Sequence, residues 1–320
     1  MLCNLCPRKC NVERIKRKEL CDSKEIGIIS NVSRGYCQMP ADIYVARASL
    51  HMWEEPCISG ENGSGAVFFT GCQLRCVFCQ NHYIAAGKAG KRIDGDRLSE
   101  IFLELQEKRA NNINLVTPTH YVPQIIRAVE NARNQGLKLP IVYNTSSYEN
   151  IDTLKRLEGI VNVYLPDLKY VSSEASLKYS NAADYFKVAA AAIEEMYRQV
   201  KGMRFNEQDS EDYNDMIEYG IMTRGMIVRH LLLPGLEKDS KAVIRYLHDT
   251  YGDGCYISIM NQYTPLPQVA DIPELNRKIT SREYDEVVDY AIDLGVVNGF
   301  IQEEGTAQES FIPEFDYEGV

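Results

Sequence analysis

Three cysteines stand close together in Gly71-Cys72-Gln73-Leu74-Arg75-Cys76-Val77-Phe78-Cys79, directly after the apolar run Val67-Phe68-Phe69-Thr70. Three thiolates at C-x3-C-x2-C spacing can converge on one small iron–sulfur cluster. A cubane [4Fe–4S] cluster takes four cysteine ligands as a rule. With three, one iron keeps an open position, where a small molecule can chelate the metal and accept an electron from it. The alternative is structural zinc, which wants four closed ligands; His82 would be the fourth, in C-x3-C-x2-C-x2-H. Zinc predicts a small finger, the open cluster a loop capping a strand.

A second group, Cys3, Cys6 and Cys10, is as compact, and Cys21 and Cys37 follow it. Four of these thiolates would make a closed site that leaves no open coordination position. Zinc and an auxiliary [4Fe–4S] cluster both fit, and spacing does not separate them. The remaining alternative is a set of free buried thiols. Cys57 and Cys255 stand apart.

The elements that must position the first loop alternate along the chain. Short β-branched or aromatic runs at Ala66–Thr70, Ile113–Thr117, Pro140–Thr145, Val161–Leu168, Met226–Leu233, Tyr256–Asn261 and Val296–Ile301 are mostly apolar on both faces, as buried parallel strands are. Between them, Leu98, Ile101, Phe102 and Leu105 repeat at helical spacing. So do Val122, Ile125, Ile126 and Val129, and likewise Tyr284, Val287, Val288 and Ala291. Strand–helix alternation implies right-handed βαβ units. Six or seven of them predict a complete or partial (β/α) barrel, with ligands at the C-terminal ends of the strands. The cysteine loop falls at the end of the first such strand.

Polar residues mark other strand ends. Arg229 and His230 interrupt an apolar strand, and alternation puts one of them on the lumen side. A charge there needs a partner, either a ligand carboxylate or a buried acid such as Asp167. Asp167 and Lys169 share a face if their strand continues, facing a ligand or forming a barrel-end ion pair. Asn144, Thr145 and Ser146 close the third strand, where the alternative is helix capping by Ser146 or Ser147. His120 is a candidate catalytic group, or a capping or core residue.

The chain has 320 residues, 45% hydrophobic and 25% charged, with a net charge of −10. That acidity argues against a sequence-independent grip on nucleic acid, which needs excess Lys and Arg. No apolar run approaches a membrane span, and the N-terminus lacks the apolar core of a secretion signal. A cytoplasmic protein with no membrane partner is expected, and ten cysteines in a reducing compartment speak for metal or redox chemistry. The cysteine-rich first part cannot bury much core by itself. The turn-forming stretch Ser59–Gly65 marks its expected end, giving a metal-binding module over 1–65 and a barrel over 66–320. The acidic segment Tyr197–Gly225 breaks the alternation as a solvated helix and loop, or as a flap over the strand ends.

The loop resembles the radical S-adenosylmethionine (SAM) motif C-x3-C-x-aromatic-C, with Phe78 at the aromatic position. His51–Gly60, Cys76–Asn81, Val116–His120, Asp167–Lys169 and Arg229–Gly235 extend the likeness to a subfamily of pyruvate formate-lyase-activating enzyme homologues. The resemblance implies that SAM chelates the open iron through its amine and carboxylate. Reduction then cleaves SAM to methionine and a 5′-deoxyadenosyl radical that abstracts hydrogen from a substrate. It implies a flavodoxin- or ferredoxin-type reductant and a protein or peptide substrate, a glycyl radical enzyme being one form of it. Modification of a small molecule is the second reading, and a zinc-dependent binding module without chemistry is the third. The resemblance places the adenine near the backbone at Phe78, ribose contacts at Asn144 and Ser146, and further SAM or substrate contacts at Asp167, Lys169, Arg229 and His230. It selects Cys37 as the fourth ligand with Cys3, Cys6 and Cys10, leaving Cys21 spare. One departure stands out: where activating enzymes carry a Gly-Gly-Glu type motif for the SAM amine, this chain has Thr117-Pro118-Thr119-His120. The acceptors offered there are backbone carbonyls and the hydroxyls of Thr117 and Thr119. The extra cysteines also precede the SAM motif here, whereas glycyl-radical activators carry theirs after it.

Overall fold

A computed structural model describes residues 2–14, 35–206, 220–302 and 313–320. Cys21 and the acidic residues Glu207 to Glu218 lie outside the described residues. The chain runs β1 (Ile43–His51), α1 (Pro56–Ser59), β2 (Ser64–Phe69), α2 (His82–Ala85), β3 (Lys91–Ile93), α3 (Gly95–Glu107), β4 (Ile113–Val116), α4 (Val122–Asn134), β5 (Ile141–Thr145) and α5 (Ile151–Lys155). It continues with β6 (Val163–Pro166), α6 (Ser173–Ser180), α7 (Tyr185–Val200), β7 (Arg204–Asn206), β8 (Ile221–Leu231), α8 (Glu237–Tyr251), β9 (Tyr256–Met260), α9 (Ser281–Leu294) and β10 (Gly299–Ile301).

The strands form one sheet in the order β10-β9-β8-β6-β5-β4-β2-β1-β3, with β7 beside β8. All neighbours from β2 to β10 along that path are parallel. Each of the seven strands read from the sequence is present in that parallel run. Their order makes a partial barrel, α/β in class, with antiparallel β1 and β3 added at one edge. β1 lies ahead of residue 65 yet pairs with β2 along its length, so the sheet begins upstream of the boundary expected from the turn at Ser59–Gly65.

Strand parity sorts the core into two layers. Tyr143, Tyr164, Met226 and Val228 join the large cluster under the helices. Val142, Val163, Leu165 and Ile227 point the other way, into a smaller cluster on the lumen side. Parallel strands covered on both faces need apolar residues at both parities, which is why these runs show no polar alternation. Four of the helices, α3, α5, α6 and α9, begin where a side chain satisfies a free N–H group. Asp94 caps α3, Ser172 caps α6, and Thr280 with Glu283 forms a capping box on α9. α3 buries Leu98, Ile101, Phe102 and Leu105, as their spacing predicts, each worth about 1.5–3 kcal/mol of transfer free energy. No helix among the described residues is long and apolar enough to cross a membrane.

Candidate functional site

The thiol loop leaves β2 through Gly71, whose φ of +93° turns the chain sharply. A Cβ there would stand 2.4 Å from the Met39 side chain and 3.1 Å from the Cys37 carbonyl. Only glycine therefore lets the first loop and the N-terminal region approach this closely. Cys72, Cys76 and Cys79 all line one cavity of about 220 Å³ at the C-terminal ends of the parallel strands. Ser180 Oγ donates to Cys76 Sγ at 2.9 Å, and the Leu74 N–H donates to Cys72 Sγ at 3.4 Å. Burial raises the Cys76 thiol to about 11, with Cys72 adding to the rise. Burial, and then Cys76 and Cys72, push Cys79 higher still. Such buried, mutually repelling thiols would each ionise more readily beside a cationic centre. The donor set therefore suits a thiolate-bound metal cluster.

Parity decides which strand-end residues reach the cavity. On β8, odd positions face the lumen: Arg229 lines the cavity, and His230 does not. The Arg229 guanidinium engages all three of its nitrogens. Nε donates to Asp167 Oδ1 at 3.0 Å, Nη1 to Glu54 Oε2 at 3.0 Å and Nη2 to Asn144 Oδ1 at 2.6 Å. Burial opposes its charge, but Asp167, Glu54 and Glu55 outweigh burial and hold it firmly protonated. Lys169 Nζ donates to Asp167 Oδ2 at 2.6 Å. Burial alone would raise Asp167; Lys169 and Arg229 overcome it and keep the carboxyl below its usual range. Two acids, Glu54 and Asp167, thus face two bases, Arg229 and Lys169, in one network.

His230 turns to the helix side. A carbonyl can only accept, so Nδ1–H donates to Leu168 O at 2.7 Å, and Nε2 accepts from Ser240 Oγ of α8 at 2.9 Å. It is buried, and burial lowers its pKa to about 4, so it is neutral. His120 is a core residue too, with Nε2 2.7 Å from Thr70 O and its pKa lowered by burial to about 3.

The remaining expected positions divide. Phe78, Thr117, Asn144, Thr145 and Ser146 line the cavity. Thr117 sits at φ +57°, a left-handed conformation strained for a β-branched residue. Helix capping does not explain Ser146 or Ser147, since Asn150 caps α5. Thr119 is buried away from the cavity. It accepts from Gln73 Nε2 at 2.9 Å and donates to Glu149 Oε1 at 2.6 Å. Glu149, which the sequence reading passed over, also accepts from Thr145 and Tyr143 hydroxyls at 2.5 and 3.3 Å. Burial outweighs these bonds and raises its pKa to about 7. Glu54 was missed as well. It follows β1, and its Oε1 also accepts from Asn114 Nδ2 at 2.9 Å. A motif containing two adjacent acids, Glu54-Glu55, was the available signal. His82 does not line the cavity with the three cysteines.

In the N-terminal region Cys6 and Cys37 are buried and Cys3 and Cys10 partly so. Burial raises Cys6 to about 12, and Cys37 and Cys10 add to the rise. Cys37 is likewise raised by burial and then, in part, by Cys3 and Cys10, against the pull of Arg14. All four thiols are thus neighbours. Among the described residues no three His, Cys, Asp or Glu groups stand at the spacing of a single bound ion.

Residues 66–206 match the family model of the Radical SAM superfamily. An uncharacterized protein of Methanocaldococcus jannaschii, MJ0674, is 24% identical over 298 residues, covering 90% of this chain and 74% of the relative. Among solved structures, Streptococcus suis SuiB bound to precursor peptide SuiA is similar at 12% identity and a TM-score of 0.48, covering 73% of this chain and 47% of SuiB. This chain therefore spans about half the length of that protein. A domain of pyruvate-formate lyase-activating enzyme from Bacteroides vulgatus has 11% identity and a TM-score of 0.42, covering 61% of this chain and all of the domain. The family match begins in the strand that carries the thiol loop and takes in the parallel strands that present Asn144 and Asp167. Residues 66–206 are a radical SAM domain.

Proposed function

We propose that this protein is a radical SAM enzyme whose Cys72, Cys76 and Cys79 hold a [4Fe–4S] cluster with one iron open to SAM. The observation that carries the reading is the convergence of those three thiols on one cavity with Asn144, Asp167, Lys169 and Arg229. When bound, the cluster supplies the electron that cleaves SAM to methionine and a 5′-deoxyadenosyl radical. The chain's own residues do the positioning. Arg229 is already neutralised by Glu54 and Asp167, so it stiffens the cavity wall. Lys169 carries three donor protons and has Asp167 as its one hydrogen-bonded acceptor among the described residues. It is the cation best placed to meet a ligand carboxylate. Asn144 and Ser146 are assigned to ribose hydroxyls and the backbone at Phe78 to the adenine. Thr117, not Thr119, offers its hydroxyl to the SAM amine, and His230 is assigned no ligand. Cys3, Cys6, Cys10 and Cys37 form a closed second site, for zinc or a further [4Fe–4S] cluster.

The substrate in this reading is a protein or peptide, with a glycyl radical enzyme as one candidate and a flavodoxin or ferredoxin as reductant, in the cytoplasm. Trp53 supports a large substrate: it lines the cavity yet is 63% exposed, an aromatic surface at the mouth. The test is anaerobic reconstitution with iron and sulfide, reduction with SAM present, and an assay for 5′-deoxyadenosine. Wild-type protein should form it, and the Cys72→Ala/Cys76→Ala/Cys79→Ala variant should not. Equal formation by both proteins would refute the assignment.

A further inference from the structure

Tyr36 stands between the two groups of thiols and touches both. Its backbone N–H donates to Cys10 Sγ at 3.2 Å. Its hydroxyl donates to the carbonyl of Leu74, inside the Cys72–Cys76 loop, at 3.0 Å. The N–H of that same Leu74 donates to Cys72 Sγ. Two residues, Tyr36 and Leu74, therefore connect a sulfur of the N-terminal site to a sulfur of the SAM loop.

The side chain is fixed from two sides. The Arg8 guanidinium lies 4.1 Å from the ring centroid and that of Arg75 lies 5.0 Å from it. Two cations on one phenol ring hold it by its electron-rich π system. Both arginines also tie the loop to the N-terminal region, Arg8 from outside the loop and Arg75 from within it. Arg8 Nε donates to Gln73 O at 2.9 Å, and Arg75 Nη2 donates to Tyr36 O at 2.5 Å. Arg75 itself has φ +58°, a conformation that needs outside support in a residue other than glycine. The bond to the Tyr36 carbonyl gives that support, immediately before Cys76.

We infer that Tyr36 is a positioning residue that couples the N-terminal thiol site to the geometry of the Cys72–Cys79 loop. A change in the N-terminal site moves Cys10, and the movement reaches Leu74 and Cys72 through Tyr36. The inference rests on the cluster reading above, and the experiment separates the two.

Wild-type protein, the triple Cys72/Cys76/Cys79→Ala variant, Tyr36→Phe and Tyr36→Ala are reconstituted anaerobically with iron and sulfide. Iron content, electron paramagnetic resonance after reduction, and the rate of iron release to a chelator are then measured. If wild type and the triple variant have the same iron content and spectrum, the cluster reading fails, and this inference with it. If they differ, the difference spectrum belongs to the loop site. Tyr36→Ala should then release loop-site iron about tenfold faster, as loss of an outer-shell partner does, with a shifted resonance. Tyr36→Phe keeps the stacked ring and the N–H to Cys10 and should fall between. It decides the matter where the alanine variant does not fold. A loop-site spectrum and release rate unchanged from wild type in a folded Tyr36 variant would overturn the coupling.

Discussion

Arg229 shows how much one buried side chain organises. Glu54, Asp167 and Asn144 come from three different parts of the chain, and each turns toward this guanidinium. Replacing it with alanine leaves two carboxylates facing each other in a cavity wall. The expected loss is about 3–5 kcal/mol, the usual consequence of removing one partner from a buried pair. Denaturant melts of Arg229→Ala measure it. Arg229→Lys should recover only part, because an ammonium cannot span three acceptors with a planar fork. A loss below about 1 kcal/mol in the alanine variant would mean the two acids find other partners.

At the scale of elements, β1 and the segment 313–320 belong together. The Ala48 N–H donates to Glu318 O at 2.8 Å, and the Tyr317 N–H donates to Ala46 O at 3.1 Å. Arg47 pairs with Asp316 and Glu318, and Phe315 meets Phe68 edge-on at 5.7 Å. Pro313 and Phe68 both line the cavity. Arg47→Ala should therefore cost only about 1 kcal/mol, the acids being half exposed, yet speed proteolytic cleavage within 313–320. Unchanged protease resistance would show that the backbone bonds and Phe315 suffice. None of this was legible in the sequence. The seven parallel strands were, because strands buried on both faces leave dense apolar runs between amphipathic helices. β1, β3 and β7 escaped because each pairs antiparallel at an edge or on a flank. Their apolar pattern is weaker, and β1 is interrupted by Arg47. The same two-sided burial hid the direction of Arg229 and His230. Ile227 and Val228 are equally apolar, so nothing nearby in sequence says which parity faces the lumen. The three loop cysteines needed no such information, since their convergence follows from local spacing. Glu54 and Glu149 did need it, because their partners are distant in sequence or lie beneath the strand ends.

Across the whole molecule, buried ionisable groups set opposing pH responses. His230 and His120 are neutral in the fold, with pKa values near 4 and 3, against about 6.5 when unfolded. Between roughly pH 6.5 and 4.5 the unfolded chain takes up a proton at each that the folded chain refuses, so both destabilise the fold on acidification. Glu149, raised to about 7 from about 4.3 unfolded, acts in reverse. The folded chain holds a proton there that the unfolded chain has lost. Urea melts over this range should show Glu149→Gln steepening the loss of stability on acidification by about one proton, roughly 1.4 kcal/mol per pH unit. His230→Asn should flatten it by a similar amount. Identical slopes in Glu149→Gln and wild type would show that the carboxyl stays ionised. The way Arg8 is anchored has a consequence for biosynthesis. Besides Gln73, it donates to Asn181 O at 2.7 Å, a partner 173 residues further along the chain. Leu5 waits likewise for Thr153. At about 5–20 residues per second, translation brings Asn181 out roughly 10–35 s after Arg8. Cys3, Cys6 and Cys10 are thus made well before the residues that complete their surroundings.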